Sequence, residues 1–407
     1  LIFFRLKPAG RAPKNRTSDR ALWESYGFPL FFLYSDQRKL VDGDIFQRGL
    51  SAADKKGRDM LHAYLEDLEQ RIDPEVEEDL LRQWQEFWEG PPQEGVFRPR
   101  RRKRAPSSVK WPKITVNESL EDVERMALRQ LSGCSDFLAG GSGRVMNIRA
   151  NYGTGTLPSL FGAEIFVMDA ALDTLPTTKP IPGGTEGVKR LLDRGVPDLH
   201  GGYGGKCFTT AARYLEWLKD YPKVSKYVHV YHPDVQGPMD VCEMLWGSDV
   251  FVEFLDQPAV VKAFLGLITE TYVRYMQKWL ELVPPRGDYA AHWGYYVRGR
   301  VVLRNDSAMN LSGAMYEEFV EPFDQQILDA FGGGAMHFCG KGDHYIHRLG
   351  RLRKLYAVDL SQPQYNDMEL IYKHTLDCGI KLLGLNLETA EAALRQGRAL
   401  HGCVQSG

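Results

Sequence analysis

Between positions 54 and 72 the apolar residues Met60, Leu61, Tyr64, Leu65, Leu68 and Ile72 recur at helical spacing, and Val76, Leu80, Leu81, Trp84, Phe87 and Trp88 repeat the pattern. Asp73-Pro74 separates the two runs. Proline fits the first turn of a helix, where its missing N–H has no partner to lose, so the pattern predicts a helical hairpin rather than one kinked rod. All periodicity then stops in Arg98-Pro-Arg-Arg-Arg-Lys-Arg-Ala-Pro-Ser-Ser108, where like charges and two prolines predict a solvated connection. The expected organisation is an N-terminal extension over 1–97, a basic linker over 98–113 and a large domain over 114–407.

After Trp111 short apolar runs alternate with amphipathic helices. Strands are expected at 145–148, 227–231, 290–293, 301–304, 335–338, 355–360 and 381–385. The clearest helix covers 259–282, with Val260, Val261, Phe264, Leu265, Ile268, Tyr272, Tyr275, Met276 and Trp279 on one face and Pro284-Pro285 as its stop. This alternation predicts an α/β chain, a (β/α)8 TIM barrel carrying an N-terminal helical extension. Functional groups of such a barrel follow its strands. Polar groups do follow them here: Arg149, Asn151 and Tyr152; His232, Asp234 and Gln236; His292; Arg304, Asp306 and Asn310; His337, Cys339, Asp343 and His344; Ser361, Gln362 and Asn366.

Composition narrows the function classes. In 407 residues, Lys+Arg of 51 against Asp+Glu of 53 leaves a net charge of -2, so no global field draws the chain to nucleic acid or an anionic membrane. The basic run has no interleaved aromatic residue on which a base would stack, which argues further against nucleic acid. Without a run of eighteen apolar residues no membrane span is expected, and Leu1-Ile-Phe-Phe4 is too short for a secretory segment, which predicts a cytoplasmic protein. Cys134, Cys207, Cys242, Cys339, Cys378 and Cys403 lack paired spacing and are expected to be reduced thiols. The first residue is Leu rather than Met, as in a piece of a longer chain.

The sharpest local chemistry is His337-Phe-Cys-Gly340, after Gly332-Gly-Gly-Ala-Met336. Residues two apart in a strand share a face, so the His337 imidazole and the Cys339 thiol converge. That pair suits zinc, which takes His nitrogen at about 2.0 Å and Cys sulfur at about 2.3 Å. Cys403 is the first candidate for a further ligand and Cys378 a weaker one. The competing reading is metal-free, with His337 a hydrogen-bond donor or acid towards an anionic substrate and Cys339 a small buried neighbour. His344 and His347, three apart, read as surface residues. Gly201-Gly-Tyr-Gly-Gly205-Lys206 fails the phosphate-loop pattern, because His200 stands at its first glycine position and Cys207 at its Ser/Thr position; a flexible lid or turn is expected. Asn151-Tyr-Gly-Thr-Gly-Thr-Leu-Pro158 is expected to be a loop over the barrel mouth.

Several of these pieces, in order, resemble the uroporphyrinogen decarboxylase-like barrels, a family that includes cobamide-dependent methyltransferases acting on thiols. Gln236-Gly-Pro238-Met-Asp-Val-Cys-Glu-Met-Leu-Trp-Gly247 resembles its glycine-proline turn and following helix, and Asp256-Gln-Pro258 its next element. Asp306-Ser-Ala-Met-Asn-Leu-Ser312 and Phe319-Val-Glu-Pro-Phe323 resemble the stretch before its H-x-C-G strand, which His337-Phe-Cys-Gly340 completes. The likeness runs over about residues 115–385. It departs from the porphyrinogen decarboxylases, since Asn151 stands at their aspartate, Met244 at their tyrosine, and their arginine-rich motif is missing.

The resemblance implies zinc held by His337, Cys339 and the later Cys403, with His337, Asp306 and His232 catalytic. Arg149, Asn151, Tyr152, Asp234, Gln236, His292, Arg304, Asn310 and Gln362 would contact a small-molecule substrate. A separate corrinoid protein would supply the methyl group. Two alternatives stay open: a metal-free decarboxylase that sets Arg149, Arg304 and His337 against carboxylates, and a non-catalytic binder of a tetrapyrrole or corrinoid.

Overall fold

In the computed structural model, which describes residues 52–91 and 94–407, helices α1 (Ala52–Arg71) and α2 (Pro74–Glu89) form the expected hairpin. Asp73 caps α2 by accepting the Glu75 N–H at 3.2 Å, and Pro74 opens its first turn. The first 51 positions of the expected extension, with the Leu1–Phe4 run, lie outside the described residues.

Each expected strand run contains a strand, several of them shorter than expected. The strands are β1 (Asn147–Ile148), β2 (Ile165–Phe166), β3 (Thr177–Thr178), β4 (His229–Val230), β5 (Tyr289–His292), β6 (Tyr295–Arg298), β7 (Val301–Arg304), β8 (Gly334–Phe338), β9 (Leu355–Leu360) and β10 (Lys381–Leu383). Strands β7, β8, β9 and β10 lie side by side in parallel, and single parallel bridges continue the series from Leu382 to Val404 and from Gln405 to Phe97. A parallel pair joins β1 to β4. With helices such as α3 (Pro258–Leu282) between the strands, this is a mixed α/β fold with a parallel sheet. The ladders do not by themselves close a ring of eight.

One expected barrel strand has a different role. The run at 290–293 is the first arm of an antiparallel hairpin, β5–β6, which reverses at Trp293-Gly294. Both turn residues have positive φ, 50° and 84°, as a two-residue primed turn demands. Apolar alternation marks a strand but carries no information about its partner's direction.

The register decides what faces where. Arg304 pairs with His337, His337 with Asp359, and Asp359 with Leu383, forming one row; Val302, Ala335, Ala357 and Lys381 form the row before it. Val302, Ala335, Ala357 and Leu383 join one apolar cluster with Leu80, Trp84, Phe87 and Trp88 of α2 and with Tyr289 and Tyr296 of the hairpin. The alternate positions Leu303, Met336, Phe338, Val358 and Leu382 join the larger cluster with the surrounding helices. The small inward residues leave the space that α2 fills, and its indoles are tied down, Trp84 Nε1 to the Gly143 carbonyl at 3.0 Å and Trp88 Nε1 to that of Tyr296 at 2.6 Å.

Three further expectations change. The basic segment is not a solvated run throughout: Arg101, 4% exposed, donates to both carboxylate oxygens of Glu77 at 2.7 and 2.9 Å and to the Ser142 and Arg144 carbonyls at 2.5 and 2.7 Å. The counter-charge comes from α2, which the local charge pattern could not reveal. The glycine-rich stretch at 201–205 is no lid but the start of helix Gly202–Leu218, where a Cβ on Gly202 would stand 2.6 Å from Ser159 Oγ and one on Gly204 2.5 Å from the Leu160 side chain. The Asn151–Pro158 stretch likewise turns into a short buried helix, Thr156–Leu160, rather than an open mouth loop. Among the described residues no helix is long and apolar enough to cross a membrane.

Candidate metal centre

Strand β8 carries His337 to the end of the parallel sheet, and the chain leaves it through Cys339. Asp306 follows β7, the neighbouring strand. The ligand atoms of Asp306, His337 and Cys339 all lie within 4.8 Å of one another, a donor set able to hold a metal ion. Each member is held in place. The Cys339 N–H donates to Asp306 Oδ1 at 2.7 Å, and Asp240, buried in the first turn of helix Pro238–Trp246, accepts the Ser307 and Asp306 N–H groups at 2.7 and 3.2 Å. Gly237 must be glycine for this to work: its N–H donates to the Arg304 carbonyl at 3.0 Å, and a Cβ there would collide with that oxygen.

Asp359, one strand over in the same row, accepts from His337 Nδ1 at 2.9 Å. That bond orients the ring and turns Nε2 towards Cys339 Sγ at 3.5 Å and Asp306 Oδ1 at 3.8 Å. Burial opposes a charge on His337, but the bond to Asp359, assisted by Cys339 and Asp306, wins and pushes the imidazole up to about 10. Asp240 shows the opposite effect, its carboxyl pushed up to about 7 by burial and by the charge of Asp306.

Beside the cluster lies a buried polar network. Arg304, 2% exposed, pairs through Nε with Asp234 Oδ1 at 2.5 Å, Arg149 Nη1 reaches Asp234 Oδ2 at 3.4 Å, and Gln236 donates to Asp234 at 3.0 Å. Arg304 Nη2 lies 3.0 Å from His292 Nε2; because the guanidinium only donates, that nitrogen accepts. His232 Nδ1 donates to the Pro233 carbonyl at 2.9 Å, leaving its Nε2 buried without a partner. Burial and the nearby guanidinium push His232 down to about 3, and burial with the neighbouring cations carries His292 well below its usual range. Two guanidiniums therefore share one carboxylate beside two neutral imidazoles. Trp293, at the hairpin turn, connects the two regions, with its ring 4.9 Å from His337 and 4.7 Å below the Arg304 guanidinium. A cavity of about 380 Å³ opens here, lined by Trp293, Tyr295, His337, Asp359, Ser361 and Asn386 among others.

The structure thus brings His337, Cys339 and Asp306 together, and next to them Arg149, His232, Asp234, Gln236, His292 and Arg304. Gln362 supports the cluster from behind by accepting the Gly340 N–H at 2.5 Å. Other expected residues stand elsewhere. Cys403 Sγ lies 3.8 Å from Lys381 Nζ, at the opposite end of β10 from the row of His337, and is not part of the three-residue set. Cys378 is exposed. Tyr152 is packed in the helix-facing core, its hydroxyl 3.0 Å from that of Thr210; Asn151 bonds Met126 through its backbone; Asn310 is exposed and donates to the Ser307 carbonyl. His344 Nε2 lies 2.8 Å from the Leu311 carbonyl, and His347 faces His374. Sequence reasoning missed Asp359, Asp240, Trp293 and Tyr295. Asp359 alone had a visible signal, a carboxylate inside the apolar run Leu355–Leu360.

No family model and no curated protein matches the chain. Among solved structures, a methyltransferase from Methanosarcina mazei resembles it at 16% identity and a TM-score of 0.52, over 72% of this chain and 81% of that one. The likeness is one of fold.

Proposed function

We propose that the chain is a zinc-assisted methyltransferase built on a closed (β/α)8 barrel of the uroporphyrinogen decarboxylase-like kind, passing a methyl group from a corrinoid carried by a partner protein to a small thiol. The observation that carries this reading is the convergence of His337 Nε2, Cys339 Sγ and an Asp306 oxygen at the end of two parallel strands, with Asp359 locking the imidazole. The donor set of one nitrogen, one sulfur and one oxygen fits zinc and leaves a position open. Asp306 takes the place that Cys403 was expected to fill. A zinc ion bound there would keep the acceptor sulfur as its thiolate at neutral pH.

The chain's own residues do the rest. Asp359 orients His337, Asp240 fixes the Asp306 turn, and the rings of Trp293 and Tyr295 line the cavity beside them. Arg304 and Arg149, compensated by a single Asp234, leave a positive field that favours an anionic substrate group. The fold likeness to a methyltransferase supports the same reading. The metal-free decarboxylase is the weaker reading, since both arginines already hold Asp234 instead of standing free for carboxylates.

The test is elemental analysis of the chain purified without chelators, followed by incubation with methylcobalamin and a panel of small thiols. About one zinc per chain and thioether formation are expected, both lost in Cys339→Ala. A chain that holds zinc yet methylates no thiol would remove the methyl-transfer reading, and a chain that retains neither metal nor affinity for it would remove both.

A further inference from the structure

Between α2 and the residues that lead into strands β4 and β5 lies a second cavity, of about 560 Å³. It is separate from the one beside His337. One face of α2, through Glu78, Leu81, Arg82 and Gln85, forms one wall; Arg286, His229 and the rings of Tyr227 and Tyr296 form the others. We propose that this cavity is a binding site for a small planar compound bearing one carboxylate or phosphate group.

Three observations carry the proposal. The first is charge. Lys226 is matched by Glu78 at 2.7 Å and Arg82 by Asp79, whereas Arg286 has no carboxylate partner among the described residues. Its guanidinium is instead aimed by backbone, donating to the Lys226 carbonyl and to that of Ser225 at 2.8 Å, which leaves further N–H groups for an anion. The second is an orphaned polar atom. His229 Nε2 is buried and has no hydrogen-bond partner, a cost a native fold sustains where a ligand or water answers it. Burial, reinforced by Arg286, pushes that imidazole down to about 3, so it is neutral and can donate or accept. The third is shape. The His229 and Tyr296 rings, tilted to each other at 6.0 Å, and the Leu81 side chain line the cavity with apolar surface against which a flat body with one charged end can pack, and Tyr289 stacks on Tyr296 at 5.0 Å.

The experiment is a fluorine NMR titration of the full chain with 4-fluorobenzoate, beside 4-fluorobenzyl alcohol as the uncharged analogue and inorganic phosphate as a competitor. Saturable binding of the benzoate is expected, ~10-fold or more tighter than the alcohol, with Arg286→Gln reducing affinity by a similar factor. Gln85→Trp, a change at an exposed position on the cavity wall, should block binding while leaving the unfolding transition in place. Competition by phosphate would assign the charged end to a phosphate; its failure would assign it to a carboxylate. Absence of saturable binding at millimolar probe, or binding that survives both variants, would overturn the proposal.

Discussion

His337 shows how a single side chain is made into a ligand. Its Nδ1 is committed to Asp359 at 2.9 Å, so only Nε2 is available to the cavity, and the charge of Asp359 raises the basicity of that nitrogen. Asp359→Asn keeps the shape and an acceptor oxygen but removes the charge. We expect zinc affinity to fall by roughly 10–100-fold, measured by competition with a chromophoric chelator. Unchanged affinity would mean that Asp359 acts only in packing. At this scale the sequence was readable where chemistry was local. His337 and Cys339, two apart on one strand, announce themselves, and so do the polar groups after each strand. Asp306 was expected beside the pair as a catalytic residue but not as a member of the metal set, because its approach depends on the β7–β8 register and on Asp240 fixing its turn. Cys403 misled for the same reason, since position along the chain says nothing about which end of β10 its sulfur meets.

At the scale of elements, the helix Glu321–Ala330 packs a buried carboxylate against the end of β7. Asp324 accepts from Tyr316 at 2.7 Å and from Asn305 Nδ2 at 2.8 Å, and burial pushes it up to about 7. The folded chain therefore holds a proton there that the unfolded chain gives up near its ordinary value of 3.8. Between those two values the native state binds more protons, so this group's contribution to stability falls as pH rises towards 7 and is flat above it. The slope is about 1 kcal/mol per pH unit. Asp324→Asn should flatten the fall between pH 5 and 7 in urea unfolding, and an unchanged slope would show that the carboxyl titrates normally. Element existence was legible for α1, α2 and α3 from helical spacing and for the parallel sheet from its short apolar runs, but not for the glycine-led helix Gly202–Leu218. The β5–β6 hairpin was not, because its turn is Trp293-Gly294 and not a turn-forming pair that local propensity would flag.

For the whole molecule, the question is whether the helical hairpin is an appendage or a structural part of the sheet domain. The sequence left both open, a hairpin that packs alone or one that caps the larger domain, with a charged linker between. The described contacts argue the latter: Trp84, Phe87 and Trp88 share one apolar cluster with Val302, Ala335 and Ala357, and Arg101 crosses back to Glu77 inside the protein. Glu77→Ala would leave the Arg101 guanidinium buried with only two carbonyl acceptors, at a cost of about 3–5 kcal/mol. Trp84→Ala would open a cavity in the shared cluster at a similar cost. If α2 and the sheet form one cooperative unit, each variant lowers a single unfolding transition followed by both near- and far-ultraviolet circular dichroism. An appendage would behave differently, melting early in its own transition while the sheet domain kept its original midpoint. The paired variant Glu77→Leu with Arg101→Met separates charge from packing, since two apolar groups of matching shape should recover most of the loss if the unpaired cation was its cause.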